Sequence, residues 1–226
     1  MSTYFRQLGA IVAKDLLLEL RSRDRISSMG AFAVLAAVLF HFSLDTSTTR
    51  PQDVAAGLIW MTLIFGGLLG VGRTFHIESQ DGAMQGILTS PAHKDAVFLG
   101  KTLANFALLF VVSLLVLGVF TLFFRLELGA NVGWLVLVLG LGSLGFVALG
   151  TLFAAVSSGT SMGETLLPIL VFPLLVPMVV YGAGTTGRLI AARPFSEVEG
   201  TVKLLGAFAL AALAAGAVLF RYVVEE

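Results

Sequence analysis

Six long blocks made almost wholly of apolar residues constrain this chain most, at about 26–44, 54–72, 101–124, 133–156, 165–184 and 203–223. A hydrocarbon core about 30 Å thick is crossed by roughly 20 residues of helix, so each block is of spanning length. The blocks are continuously apolar rather than alternating, which favours helices over the strands of a membrane barrel. Polar cover for a water-soluble core is missing. Hydrophobic residues make up 57% of the 226, and charged residues 12%, against roughly 25% charged in a soluble domain. The expectation is an all-α membrane protein, with residues 1–226 forming one transmembrane domain of about six spans.

The 14 basic and 14 acidic residues cancel, so nothing points to nucleic acid. Cysteine is absent, which excludes disulfides and thiol chemistry. The first block carries no small-residue cleavage site and reads as a retained span. Trp60 and Trp134 lie near block starts, where interfacial aromatics are common. Gly66 and Gly70 have the spacing that lets two helices approach closely.

Basic residues set the expected orientation. With six spans, Arg6, Lys14, Arg21, Arg23, Arg25, Arg73, Lys94, Lys101 and Arg221 share one side, against Arg50, Arg125, Arg188, Arg193 and Lys203. The positive-inside tendency then puts both termini in the cytoplasm.

Before the first span, residues 2–24 read as an amphipathic interfacial helix. Phe5, Leu8, Val12, Leu16 and Leu20 recur at helical spacing, with Gln7, Lys14 and Arg21 on another face. Asp15 and Glu19 sit close to the apolar side. Either they pair locally, Glu19 having Arg23 at the favourable i,i+4 position, or they face a protein partner.

The longest polar stretch, 73–101, follows the second span. Its middle, 80–88, has the length of a short helix that Ser90-Pro91 would end, and from Asp95 the chain re-enters helix. Pro168, Pro173 and Pro177 predict a kinked or broken fifth span that serves as a gate. The mixed stretch 182–203 reads as a short extracytoplasmic helix or a re-entrant element.

Apparent chemical motifs dissolve on inspection. Gly140, Gly142 and Gly145 match a dinucleotide pattern but lie inside an apolar span without its strand–turn–helix context. Gly100-Lys101-Thr102 resembles the end of a phosphate-binding loop, yet the earlier glycine is replaced by Asp95. His41, His76 and His93 have no metal-ligand spacing. His41, between Phe40 and Phe42 near the outer end of the first span, is the one position with a haem-contact reading. Charged residues all fall at or near block ends, unlike the relay residues of ion-coupled transporters. No nucleophile–base pair appears. The chain reads as a non-catalytic subunit whose energy arrives from elsewhere.

A resemblance enters at Gly57 to Trp60, Arg73 to Phe75, Glu78, Gln80 to Gly82, Pro91 and Lys101. With Lys14–Asp24 and Leu167–Gly182, these positions are similar to the haem exporter protein B (CcmB) family, spread over nearly the whole chain. The resemblance implies an ABC-2-like permease subunit of six spans, working with a cytoplasmic ATPase (CcmA) that binds the ATP. It also implies partnership with CcmC, CcmD and the periplasmic haem chaperone CcmE in cytochrome c maturation, in the bacterial inner membrane. Haem is then a cargo rather than a resident cofactor. The permease itself moves haem, or the ATPase cycle releases the loaded chaperone; both readings stand.

In the wider permease class, a polar loop after the second span carries an acidic residue, a glycine and a later proline, and docks in the ATPase. Here Glu78, Gln80, Asp81, Gly82, Gly86, Ser90 and Pro91 occupy those places, with Asp15 and Glu19 as further docking candidates. The family's haem-ligating histidines belong to CcmC, so no haem-binding residue carries over. Two rival readings are a membrane scaffold that turns ATP hydrolysis into partner remodelling, and an ABC permease for a lipid, glycan or drug. Pairing as a homodimer is compatible with each.

Overall fold

The computed structural model describes residues 2–45, 49–75, 93–158 and 163–225. Every regular element among them is helical: α1 (Ser2–Ser22), α2 (Asp24–Ser43), α3 (Pro51–Val71), α4 (Lys94–Phe124), α5 (Val132–Ser158), α6 (Gly163–Ile190) and α7 (Glu199–Glu225). Single 3-10 turns occupy Gly129–Asn131 and Phe195–Glu197. The six helices α2 to α7 are each long and apolar enough to cross a membrane. The protein is a multi-pass membrane protein with one additional helix at its N-terminus.

Local chemistry explains where the helices stop. Arg23 adopts a left-handed conformation (φ 57°), ending α1 and turning the chain into α2. Pro51 opens α3 at its first position, where the missing N–H costs nothing. Arg125 (φ 51°) closes α4, and the Leu126 N–H donates back to the Thr121 carbonyl at 3.1 Å. Ala192 (φ 57°) does the same beyond α6, where the Arg193 N–H donates to the Arg188 carbonyl at 3.0 Å. These are Schellman-type ends without glycine, each costing roughly 1–2 kcal/mol of backbone strain.

Two expectations about helix extent meet the structure differently. α4 begins at Lys94, one residue from the expected return to helix at Asp95. α6 runs unbroken through Pro168, Pro173 and Pro177 to Ile190. Each proline removes one backbone bond, but packing against α3, α5 and α7 holds the helix together. The 182–203 stretch is therefore the end of α6, a turn, one 3-10 turn and the start of α7, not a separate or re-entrant helix.

At the centre, α5 packs on α3, α4, α6 and α7. Trp60, expected at the interface, is instead buried at 1% exposure between α5 and α6. Gly142 and Gly182 make the room, since a Cβ on either would land inside the indole. The indole Nε1 donates to Thr186 Oγ1 at 3.0 Å, so its polar atom is satisfied inside the bundle. Trp134 remains partly exposed and stacks on Phe195. Gly66 and Gly70 face Phe32 and Met29 of α2, giving the close approach their spacing predicts.

Candidate functional site

The charged residues of greatest interest lie where α1 meets the bundle. α1 crosses α4 at Gly100, where an added Cβ would approach the Ile11 side chain to 2.9 Å. That contact turns Asp15 and Glu19 inward, at 8% and 3% exposure. Within the apolar stripe, Val12 and Leu16 are half-buried on the same side. Leu8 and Ile11 are partly covered, while Phe5 and Leu20 point outward at 62% and 64% exposure. In a membrane, apolar side chains facing out and carboxylates facing in place each group in its favourable medium.

Asp15 meets two cations. Lys14 Nζ lies 2.9 Å from Oδ1, and Lys101 Nζ lies 3.3 Å from Oδ2. The Lys101 ammonium also donates to the Thr74 carbonyl at 3.3 Å and sits 4.9 Å above the Phe75 ring. Lys101 is 1% exposed.

Glu19 does two jobs at once. Its Oε2 accepts from Arg25 Nε at 2.7 Å, and its Oε1 accepts from the Ile26 backbone N–H at 2.9 Å. A carboxylate on α1 thus satisfies an orphan donor in the first turn of α2 and meets the positive end of that helix. The local pairing anticipated with Arg23 is replaced by one with Arg25, because left-handed Arg23 is the pivot of the turn.

Asn105 joins these pairs to the rest of the bundle. Its Oδ1 accepts from an Arg25 terminal nitrogen at 2.9 Å. Its Nδ2 donates to Thr74 Oγ1 at 2.9 Å and to Thr151 Oγ1 at 3.2 Å. Asn105, Thr74 and Thr151 are all buried. The result is one connected polar junction: Asp15 and Glu19 on α1, Arg25 on α2, Thr74 just beyond α3, Lys101 and Asn105 on α4, and Thr151 on α5.

The depth of the junction follows from length. α4 has 31 residues, about 46 Å at 1.5 Å per residue. Counting roughly 20 residues back from Phe124 for the hydrocarbon core brings the boundary to Asn105. Lys101 then lies at the membrane edge, two turns inside a helix whose apolar block suggested it was a terminus. Thr74 and Phe75 immediately precede residue 76, and His93 starts the return. The His93 N–H approaches Gln7 Oε1 at 3.5 Å, and its ring contacts Tyr4. Burial, then the charge of and hydrogen bond to Asp95, push the Tyr4 phenol above its ordinary pKa. The described residues that flank 76–92 thus lie close to α1, Thr74 and Phe75 through Lys101 and His93 through Tyr4 and Gln7.

The remaining predicted positions are dispersed. Glu78, Gln80, Asp81, Gly82, Gly86, Ser90 and Pro91 lie outside the described residues. Asp15 and Glu19 are committed to partners within the chain. Pro173 and Pro177 sit on the exposed face of α6, beside Ile169, Phe172 and Val176. His41 is exposed, its ring edge-on to Phe42, Phe123 and Phe124. Among the described residues, no group of His, Asp or Glu is placed to hold a metal. The Gly100-Lys101-Thr102 run is helical, Gly100 serving the α1 crossing and Lys101 the ion pair. Sequence reasoning missed Asn105, Thr74, Arg25 and Thr151. The available signal was Asn105 itself, an amide within an apolar spanning helix.

Residues 6–224 match the family model described as CcmB protein. Several curated proteins named Heme exporter protein B are similar over most of their length. The one from Paracoccus denitrificans is 30% identical over 214 residues, 94% of this chain and 98% of the relative. Those of Rhodobacter capsulatus and Escherichia coli K12 are 29% and 32% identical, covering 80% and 84% of this chain and 83% and 86% of their own.

Proposed function

The chain belongs to the CcmB family, and on that premise we propose that it is the permease subunit of an ABC transporter acting in haem export for cytochrome c maturation. The observation that carries the reading is the match along residues 6–224 to proteins of that name. The bundle supplies a membrane-spanning body, and ATP hydrolysis belongs to a CcmA-type partner on the cytoplasmic side. Both termini face that side, in the bacterial inner membrane. The polar segment containing Glu78, Asp81, Gly82 and Pro91 docks the ATPase. CcmC, CcmD and CcmE are the proposed haem-handling partners, with haem as cargo.

Support for the docking assignment comes from the junction formed by the described residues that flank that segment in sequence. Thr74 and Phe75 at one end meet Lys101 and Asn105 on α4, which are tied in turn to Asp15 on α1, Arg25 on α2 and Thr151 on α5. A force on the intervening segment has buried polar groups to act on.

Co-expression with a CcmA-type ATPase, purification and ATP turnover in lipid test this reading. Stable co-purification, with cytochrome c maturation lost on Asp81→Lys or Gly82→Pro, is the expected result. Isolation of the chain alone, with no ATPase associating and normal cytochrome c in a deletion strain, overturns it. Haem movement into sealed vesicles separates transport from remodelling of partners.

A further inference from the structure

Buried ionisable and amide groups in a membrane protein are costly and mark working parts. The α1–α4 junction holds two carboxylates, two cations and an asparagine, where an apolar filling would pack as well. Three features separate it from simple glue. It joins four segments through one amide, since Asn105 on α4 receives from Arg25 on α2 and donates to both Thr74, beyond α3, and Thr151 on α5. Its hydroxyl partners are rotors that exchange bonds without moving backbone. One turn before Asn105 on the same helix, Thr102 Oγ1 is wholly buried and has no hydrogen-bond partner among the described residues.

We propose that Asn105 is a positioning residue at the hub of a relay. The relay delivers displacement of the Thr74–Phe75 end of the polar segment to α2 through Arg25 and Glu19, and to α5 through Thr151. The functional part of this inference rests on the permease reading above; the mechanical part does not. The geometry is suited to transmission because each bond reaches a different segment: α2, the turn beyond α3, and α5. When Thr74 shifts, the Asn105 amide must rotate or break its bond to Thr151, and either changes the acceptor offered to Arg25. α5 has no extensive packing against α1 or α2 among the described residues, and the amide is a direct polar route between α5 and α2.

The test starts with the chain alone in lipid nanodiscs, read by hydrogen–deuterium exchange. Thr151→Val removes the hydroxyl that receives the amide. Exchange at residues 15–26 is expected to rise about tenfold although Thr151 lies on α5, and Thr151→Ser is expected to restore protection. Asn105→Leu, nearly isosteric, is expected to loosen the same residues together with 70–75. Unchanged exchange at 15–26 in Thr151→Val, with the thermal midpoint retained, overturns the relay, as does failure of the serine variant to rescue. Should Asn105→Leu not fold, the Thr151 pair decides.

The second arm uses the chain assembled with its ATPase. Asn105→Leu or Thr151→Val is expected to keep ATP turnover within about twofold of the parent while cytochrome c output falls by about tenfold or more. Unaltered output alongside altered exchange overturns the functional part. If the parent chain binds no ATPase, the permease reading fails while the exchange result still decides the mechanical link.

Discussion

Glu19, the last buried acid of α1, accepts the backbone N–H of Ile26 in the first turn of α2 at 2.9 Å. The same carboxylate holds Arg25 at 2.7 Å, so one side chain caps a spanning helix and fixes its angle to the preceding one. Glu19→Leu strands the largely buried Arg25 and uncaps α2. A loss of about 3–5 kcal/mol is expected from the broken buried pair, read as a lowered unfolding midpoint in detergent. Glu19→Gln keeps an acceptor and is expected to cost about 1–2 kcal/mol.

Trp60 fills the space left by Gly142 and Gly182. Gly142→Ala is expected to destabilise by about 1–3 kcal/mol through overpacking. Trp60→Phe in the same chain is expected to recover part of that loss, a non-additive pair in a double-mutant cycle. Additive effects would place the strain elsewhere.

Thr186→Val removes the acceptor of the Trp60 indole N–H. Leaving that buried donor unmatched is expected to cost about 1–3 kcal/mol. Tryptophan fluorescence, with Trp134 replaced by Phe to isolate the signal, should shift to the blue.

Ala192 holds a left-handed conformation at the end of α6 and is exposed. Ala192→Gly relieves that strain and is expected to raise stability by about 1 kcal/mol. An unchanged or lowered midpoint would mean that the unfolded-chain entropy of glycine outweighs the relief.

Single cysteines placed in this cysteine-free chain test its orientation. Those at Arg50, Glu127 and Glu197 should be labelled by a membrane-impermeant maleimide added outside spheroplasts. One at Thr3 or at His93 should react only after lysis. The reverse pattern would invert the proposed topology.

The six spans, the helical class and the N-terminal helix before them were legible from residues alone, because a bilayer demands about 20 apolar residues per crossing whatever the neighbours are. Family membership was legible for a related reason: Arg73, Pro91, Lys101 and the Leu167–Gly182 run keep their order along the chain. What each helix turns toward was not legible. A span that is apolar on every side has no periodic face, so nothing local told that Trp60 would be enclosed by Gly142 and Gly182 rather than lie at the interface. On α1 the stripe placed Asp15 and Glu19 near its apolar side but did not say that they would meet Lys101 and Arg25. Asn105 could be noticed in sequence as an amide in an apolar run, yet its partners lie 31, 46 and 80 residues away. Sequence by itself determined that the chain crosses the membrane and where. Only tertiary structure decided which buried polar groups meet, because a buried charge takes whatever partner folding brings within about 3 Å.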